Sequence, residues 1–258
     1  MARHTTPPKA TGRTDRQELL ADLKRQQKGR ERRTVLMIIA GCTALVVLLA
    51  GVITYGVIDG QRTAGANKPS TLIMAIGVPS ASASCDPATT DAATGSSDHV
   101  GPGTSKPDLK KVDYATIPPS SGPHFEIPAV GSRSFYTAQD SPPVETLVHN
   151  LEHGYTVLWY LPSEGAAKAD QLQKLGEVGS KLDASAGKFI VAPWNNAYGA
   201  FPAGKNYALS HWSATTGAGG AITGQSGHRQ LCGDLSGETV LSFVNAYPKT
   251  DAPEAGAS

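Results

Sequence analysis

The sequence lacks a charge excess of either sign and has few aromatic residues. Its 258 residues include 23 Lys and Arg against 22 Asp and Glu, so the formal net charge is +1. A balance of this kind does not indicate a nucleic acid as the default partner. Aromatic residues make up only 6%, whereas 28 Gly and 18 Pro indicate that turns and loops occupy much of the fold. A purely helical bundle is therefore not expected.

Several ligand-binding motifs are missing as well. No Gly-rich phosphate loop lies between a predicted strand and a predicted helix, and no basic stripe follows residue 33. The sequence therefore indicates neither a nucleotide site nor a nucleic-acid site. Beyond residue 58 the chain has a single methionine, Met74, which excludes a thioether site for Cu(I).

One long apolar run predicts a transmembrane helix. Residues 34–58 contain no charged side chain, and at ~1.5 Å per residue they can cross a hydrocarbon core of ~30 Å. Ten Lys and Arg but only four Asp and Glu precede this run, so the positive-inside rule places residues 1–33 in the cytoplasm. The sequence thus predicts a single-pass protein of the cell membrane whose remaining chain is extracytoplasmic.

A cleaved signal peptide is the alternative for this run, because Ala64-Gly65-Ala66 has the small residues that a signal peptidase needs. Signal peptides have a short charged segment and an apolar stretch of about 7–15 residues. Here 33 residues precede a longer run. The pattern favours an uncleaved anchor, which contacts the lipid bilayer through residues 34–58.

Composition divides the rest of the chain into a linker, a domain and a tail. Residues 59–84 are rich in Gly, Ala and Ser and are predicted to be a flexible linker. Residues 85–248 are predicted to be the exported globular domain, and residues 249–258 a disordered tail.

Hydrophobic periodicity within the exported domain predicts both helices and strands. The helices are expected over 144–153, 163–183 and 237–247. The strands are expected over 155–161, 188–192 and 206–212, while residues 214–230 are read as a loop. This order predicts an α/β or α+β fold in which helices pack on a single small mixed sheet.

The three cysteines fall into two groups. Cys42 lies inside the apolar run, where it packs as a small apolar residue. Cys85 and Cys232 lie in the predicted exported part, where the compartment is oxidising, and we predict that they form a disulfide. It would stabilise the domain by ~4 kcal/mol in the chain-entropy model. A pair of metal thiolates is the alternative, but neither cysteine has a second cysteine nearby.

Two histidines lie four residues apart on one predicted helix. His149 and His153 share a helical face, so both imidazoles can reach a single metal ion. The motif His149-Asn-Leu-Glu-His153 also has the H-x-x-E-H pattern of inverted zinc proteases, in which the glutamate activates water. Gly154 ends the helix at once, which counts against a hydrolase without removing that alternative.

A rigid loop presents a third histidine. The segment PPSSGPH at 118–124 combines proline and glycine, so the backbone before His124 has few accessible conformations. Rigid presentation suits a metal ligand. The alternative is that the His124 imidazole bonds a backbone carbonyl and holds the loop in place.

The motifs together resemble a known family. His99-Val100, Tyr114, PPSSGPH at 118–124 and LVHNLEHG at 147–154 are similar to the family called domain of unknown function 3105. The resemblance covers roughly residues 85–250. It implies a bacterial membrane anchor followed by an exported domain, and it implies no established activity.

The resemblance gathers four histidines into one predicted site. We expect metal ligation of Cu(II) or Zn(II) by His99, His124, His149 and His153. The residues around these four histidines are predicted to be Glu152, Asn150 and Tyr114. No catalytic residue is assigned, and His211 and His228 fall outside the pattern.

Two further functions remain open at this stage. The same histidines can form a buried hydrogen-bond network in a structural or protein-interaction module of the cell envelope. A metal-dependent hydrolase would instead direct Glu152 at an open coordination position. The sequence does not show whether the protein has a partner protein in the membrane, and it leaves the oligomeric state open.

Overall fold

The structure is a computed structural model that describes residues 12–257, except residues 94 and 132, together with all their side chains apart from those of residues 12–15 and 62. The first eleven residues of the predicted cytoplasmic segment and the last residue of the predicted tail therefore lie outside it. The chain divides into two compact units, Met1–Ala64 and Gly65–Ser258.

The described part of the first unit, from Gly12 onward, is a single long helix. Helix α1 spans Gly12–Ala66 and contains the whole predicted transmembrane run. Of the described residues, this helix alone is long and apolar enough to cross a membrane, and its most apolar 18-residue window has a mean hydropathy of 2.8. Its apolar side chains, such as Leu48 and Val52, are exposed. The first residues of the predicted linker, up to Ala66, continue the helix rather than forming a flexible segment.

The second unit contains a five-stranded mixed sheet. Its spatial order is β1, β7, β6, β4, β5, in which β4 and β5 are parallel and the other neighbours antiparallel. The strands are β1 (Thr89–Ala92), β4 (Thr156–Tyr160), β5 (Phe189–Pro193), β6 (Tyr207–Thr216) and β7 (Ile222–Cys232). The predicted class, a mixed sheet with helices packed on it, is confirmed.

Helices cover both faces of this sheet. Along β4, Val157 and Trp159 point to one face while Leu158 and Tyr160 point to the other, because successive side chains of a strand alternate. Helix α3 (Val144–Glu152) packs on the Trp159 face. The Leu158 face is covered by α2 (Pro69–Met74), α5 (Ala169–Gly179) and α6 (Gly237–Ala246), and a short helix, α4 (Pro162–Ala167), precedes α5.

Three features of the sheets differ from the sequence prediction. The edge strand β1 was not expected. The expected loop over 214–230 is largely strand, because β6 and β7 form a long antiparallel hairpin whose register runs from Tyr207 opposite Cys232 to Thr216 opposite Ile222. A second, two-stranded sheet is also present. Its strands, β2 (His99–Val100) and β3 (His124–Phe125), are parallel and place His99 opposite His124.

The disulfide is confirmed. Cys85 and Cys232 are bonded across a sequence separation of 147 residues. The bond joins the chain just before β1 to the last residue of β7. Cys42 is a free, exposed cysteine on α1.

Most of the predicted linker and the described part of the predicted tail belong to the second unit. Within 59–84, α2 buries Ile73 completely in the core, and Gly77 pairs with Ser236 in an isolated bridge. Within 249–257 the backbone is held by Lys188, whose Nζ donates to the carbonyls of Ala255 (3.0 Å) and Ala257 (2.7 Å). Low sequence hydrophobicity predicts flexibility in both segments, but these contacts order them.

Candidate metal centre

The end of α3 carries three of the site residues. The helix begins after Pro143 and ends at Glu152, and Gly154 follows with φ at +90°. Gly154 N–H donates to Leu151 O and Tyr155 N–H to Asn150 O, which is the Schellman arrangement of a helix C-terminus. The last turn therefore stops within the protein interior, where its polar side chains are buried.

The parallel pairing of β2 and β3 brings in two further imidazoles. The ring centroids of His99 and His124 lie 5.0 Å apart, and that of His149 lies 5.0 Å from His99 and 4.7 Å from His124. Three histidines from segments 25 residues apart or more in the chain are thus in mutual contact. With Glu152 they form a group whose ligand atoms all lie within 4.8 Å of one another.

Backbone carbonyls determine which ring nitrogens can bind a cation. His124 Nδ1 lies 2.8 Å from Gly122 O, and His149 Nδ1 lies 2.6 Å from Phe125 O. A carbonyl oxygen only accepts, so each Nδ1 must carry the hydrogen, and in the neutral ring Nε2 then carries a lone pair. Histidines that bind metals are commonly oriented in this way.

The Glu152 carboxylate faces one of these lone pairs. Its Oε1 accepts from Ser97 N–H (2.6 Å) and Ser96 Oγ (2.8 Å), while its Oε2 lies 2.9 Å from His124 Nε2. Although these two atoms are close, the angles between them do not meet the geometry of a hydrogen bond. Among the described residues, neither His124 Nε2 nor Glu152 Oε2 has a hydrogen-bond partner. Two acceptors at this distance repel each other unless a cation or a proton lies between them.

A third buried atom is in the same situation. His99 Nε2 is inaccessible to solvent and finds no hydrogen-bond partner within residues 12–257 as described. An unsatisfied buried polar atom is costly, so a native structure rarely leaves several of them together without a bound group. The nitrogen and oxygen atoms that converge here have the arrangement of a ligand set.

The protonation states support ligation. Burial, opposed by the hydrogen bond to Phe125 O, lowers the pKa of His149 to about 4, so its ring is neutral at pH 7. Burial alone would raise the pKa of Glu152, but His124, when its ring carries a hydrogen on Nε2, and the donors of Ser97 and Ser96 outweigh it and lower that pKa to about 2. The site therefore offers a neutral imidazole and an ionised carboxylate at pH 7, which are the forms that bind metals.

His153 lies beside this group rather than within its tightest part. Its Nε2 is 3.0 Å from His149 Nε2 and 3.4 Å from Glu254 Oε2. With Glu152 and Glu254 it forms a second group whose ligand atoms lie within 4.8 Å of one another. Metal ligation by His153 therefore stays a prediction. In the structure Glu152, rather than His153, completes the group formed by His99, His124 and His149.

The other two predicted residues hold the surrounding loops. Tyr114 donates its hydroxyl hydrogen to Pro123 O at 2.9 Å, directly before His124. Asn150 binds both backbone groups of Ala129, accepting from its N–H (2.9 Å) and donating to its carbonyl (3.1 Å). Both contacts position segments that pack against α3.

Three contributing residues were not anticipated from the sequence. Ser96 and Ser97 lie in a polar turn without periodicity, and Glu254 lies in the segment that was expected to be disordered. Their only signal is a polar side chain in a small-residue context, which occurs throughout this sequence. The structure places them at the site through tertiary contacts alone.

His211 and His228 form separate contacts, as the sequence pattern suggested. His211 Nε2 lies 2.8 Å from Asp251 Oδ1. His228 is bonded on both ring nitrogens, to Thr90 Oγ1 (2.9 Å) and Ser213 Oγ (2.7 Å). Because these ring nitrogens already have hydrogen-bond partners, we interpret His211 and His228 as structural residues of the core.

Comparison with known proteins identifies a family but no characterised relative. The family model described as "Protein of unknown function (DUF3105)" matches residues 105–258, which include His124, His149, Glu152, His153 and Glu254. The matched segment begins after His99. No curated protein and no solved structure matches the chain.

Proposed function

The chain belongs to the family of proteins of unknown function DUF3105, and we propose that its second unit binds one Zn(II) or Cu(II) ion through His99, His124, His149 and Glu152. The observation that carries this proposal is the approach of His124 Nε2 and Glu152 Oε2 at 2.9 Å outside hydrogen-bond geometry. A cation between them, bound also by ring nitrogens of His99 and His149, removes their repulsion.

The donor set suits these two metals. Imidazole nitrogens and a carboxylate oxygen lie about 2.0–2.2 Å from zinc, so adjacent donors around one ion are about 3.3 Å apart. In the structure His124 Nε2 and Glu152 Oε2 are 2.9 Å apart, and all four ligand atoms lie within 4.8 Å of one another. Neither group of candidate ligands in the described residues contains sulfur, since Cys85 and Cys232 are bonded to each other and Met74 lies on α2 and is 47% exposed.

The geometry favours binding over hydrolysis. A hydrolase of the H-x-x-E-H type needs a glutamate that is free to activate water. Glu152 instead accepts two hydrogen bonds on Oε1 and directs Oε2 at His124. We therefore assign it as a ligand, and we assign the protein to metal binding, delivery or sensing.

The membrane arrangement belongs to the same proposal. An apolar helix able to span a bilayer and a disulfide are the features of an anchored, exported domain. The basic residues before the span would lie in the cytoplasm, the lipid bilayer would contact residues 34–58, and the metal centre would face the extracytoplasmic side. Protease added to intact cells should then degrade the second unit, whereas protection of that unit would contradict this orientation.

A structural module is the competing function. His149 and Asn150 on α3 bind backbone carbonyls of Phe125 and Ala129, so they fasten the 122–129 segment to α3 even without an ion. His124 holds the same segment internally by its bond to Gly122 O. In that case the protein would fold and act without metal, and substitution of the histidines would lower stability only.

A metal titration distinguishes the two functions. The full chain, purified in detergent without a polyhistidine tag, is titrated with Zn(II) and with Cu(II) beside His124→Ala and His149→Ala. We expect one tight equivalent in the parent and affinities weakened by about 100-fold or more in both variants, since each loses a direct ligand. His228→Gln is the matched control, because it removes a buried histidine outside the centre. This variant should bind metal with the affinity of the parent.

Either of two results would contradict metal binding. One is a parent protein that binds no metal. The other is equal affinity in the parent and the two ligand variants while circular dichroism shows all of them folded. A loss of thermal stability without any metal binding in the parent would support the structural module instead.

A further inference from the structure

A second group of potential ligands lies between the buried centre and the solvent. Glu152, His153 and Glu254 place one ligand atom each within 4.8 Å of the others. The Glu152 side chain is fully buried, that of His153 is 9% exposed and that of Glu254 is 40% exposed. The three residues thus form a graded path from the surface to the carboxylate of the inner site.

The position of Glu254 is fixed by the fold. Its backbone N–H donates to Glu152 O at 3.0 Å, and Ser97 Oγ donates to its Oε1 at 3.4 Å. Lys188 Nζ joins the residue after Glu254 to the end of α3, since it donates to Ala255 O at 3.0 Å and to His153 O at 2.6 Å. These contacts leave Glu254 Oε2 directed at His153, 3.4 Å from Nε2.

His153 has a partner that an inner metal would remove. His149 Nε2 carries a lone pair, so His153 Nε2, 3.0 Å away, donates its hydrogen to it. When a metal takes that lone pair, this hydrogen bond is lost, and His153 Nε2 then faces the carboxylates of Glu254 and Glu152. A second cation satisfies all three groups once the ring hydrogen of His153 has moved from Nε2 to Nδ1, because a neutral imidazole binds a metal through the nitrogen that carries no hydrogen. Imidazole nitrogen and carboxylate oxygen are then ordinary ligands of a divalent transition metal.

We propose that Glu254, His153 and Glu152 form an outer metal position through which a divalent ion enters the buried centre. The inference rests on the proposed function, since the inner site is the destination of the ion. The outer position binds more weakly than the inner one, because its main carboxylate is partly exposed to water and its charge is screened.

The test measures both the number of bound ions and the rate of filling. The full chain in detergent, stripped by a chelator, is titrated with Zn(II) alone and is then mixed rapidly with Zn(II) to follow the filling of the inner site. We expect the parent to bind one tight and one weaker equivalent. Glu254→Gln should keep the tight equivalent, lose the weaker one and fill about tenfold more slowly, because a carboxylate at the entrance attracts cations.

Glu177→Gln is the matched control. It makes the same change on α5, where Glu177 contacts Lys174 and Gln173. It should behave as the parent in both measurements. His153→Asn should also lose the weaker equivalent while keeping the tight one, which shows that the effect does not depend on the tail alone.

The failures of the two proposals differ. A single tight equivalent in the parent, with an unchanged filling rate in Glu254→Gln, would overturn the outer position and leave the inner site standing. Two equivalents retained in Glu254→Gln would overturn it as well. The absence of any tight equivalent in the parent would overturn both.

Discussion

Single buried polar residues hold the loops of the second unit against α3. Asn150 binds both backbone groups of Ala129, and the carboxylate of Glu145 accepts from Val112 N–H (2.8 Å) and from the Tyr198 hydroxyl (2.6 Å). Each of these side chains is almost completely buried. Removing one leaves backbone groups unpaired in the interior, which costs more than the net value of a hydrogen bond.

Asn150→Ala tests this role at one position. The change leaves the N–H and carbonyl of Ala129 without partners, so the free energy of unfolding should fall by about 2–4 kcal/mol while one tight metal equivalent is still bound. Urea unfolding measures the first quantity and metal titration the second. Asn195→Ala is the control, because Asn195 is exposed and caps only the N–H of Ala197, at a cost of about 1 kcal/mol or less. Equal losses in the two variants would contradict the assignment.

His228 predicts a pH dependence of stability that is independent of the metal centre. Burial, with His211 adding to it, lowers the pKa of His228 below its usual 6.5. Below pH 6.5 the unfolded chain therefore takes up a proton that the folded chain does not, so stability is lost as the pH falls. The loss is at most ~1.4 kcal/mol per pH unit until the folded pKa is reached.

The measurement compares urea unfolding of the metal-free parent and of His228→Gln at pH 7.5, 6.5 and 5.5. The parent should lose more stability than the variant over this interval, because the variant lacks the titrating ring. Parallel curves for the two proteins would show that His228 does not contribute.

At the scale of elements, the end of α3 determines the geometry of the centre. The Schellman turn at Gly154 stops the helix directly after His153 and sends the chain into β4. A β-carbon on Gly154 would lie 2.5 Å from Lys249 O, so the turn also packs against the C-terminal segment. The helix end, the strand and the tail therefore form one connected unit around the site.

Gly154→Ala should disturb this arrangement strongly. Alanine at φ +90° costs about 1 kcal/mol, and the contact with Lys249 O requires the tail to shift as well, so we expect a loss of about 2–4 kcal/mol in unfolding free energy. Gly187→Ala is the matched control. Gly187 has φ +89° and open space around it, so its substitution should cost about 1 kcal/mol only. Thermal or urea unfolding that shows the same loss in both would contradict the tail contact.

Sequence periodicity predicted the elements that have strong local patterns. The apolar spacing of Val144, Leu147, Val148 and Leu151 located α3, and the dense apolar run before Pro162 located β4. The two-residue strands β2 and β3 have no period to detect, and their pairing joins segments 25 residues apart. Only the first part of β6 was predicted, and β7 was read as a loop, because residues 213–227 are rich in Gly, Ser and Thr.

The candidate site was predictable to a similar extent. His99, His124 and His149 converge in the structure as the motifs suggested, because each lies on or beside a segment that the motifs delimit. The inner position of Glu152 depends on the rotation of the last turn of α3, and the contribution of Glu254 depends on tail contacts made by Lys188. Tertiary contacts of this kind leave no local pattern in a single sequence.

At the scale of the whole molecule, one covalent bond constrains most of the second unit. The Cys85–Cys232 disulfide closes a loop of 147 residues that contains the sheet, α3 and the candidate centre. In the chain-entropy model a loop of this size stabilises the folded state by about 4–5 kcal/mol.

Replacement of both bonded cysteines by alanine tests that contribution. The free energy of unfolding of the second unit should fall by about 4–5 kcal/mol, measured by urea unfolding under oxidising conditions. Cys42→Ala is the control, because Cys42 lies on α1 and is free, and it should leave the unfolding of the second unit unchanged. A loss below about 1 kcal/mol in the double variant would show that the bond is not a main source of stability.

X-ray absorption on the zinc-loaded full chain tests the central claim most directly, because it reports the atoms that surround the ion. The account predicts three imidazole nitrogens and one carboxylate oxygen at about 2.0–2.2 Å, with the imidazole signal reduced in His149→Ala. A shell made only of water and carboxylate oxygens, or a shell unchanged by His149→Ala, would contradict a histidine metal centre in this protein.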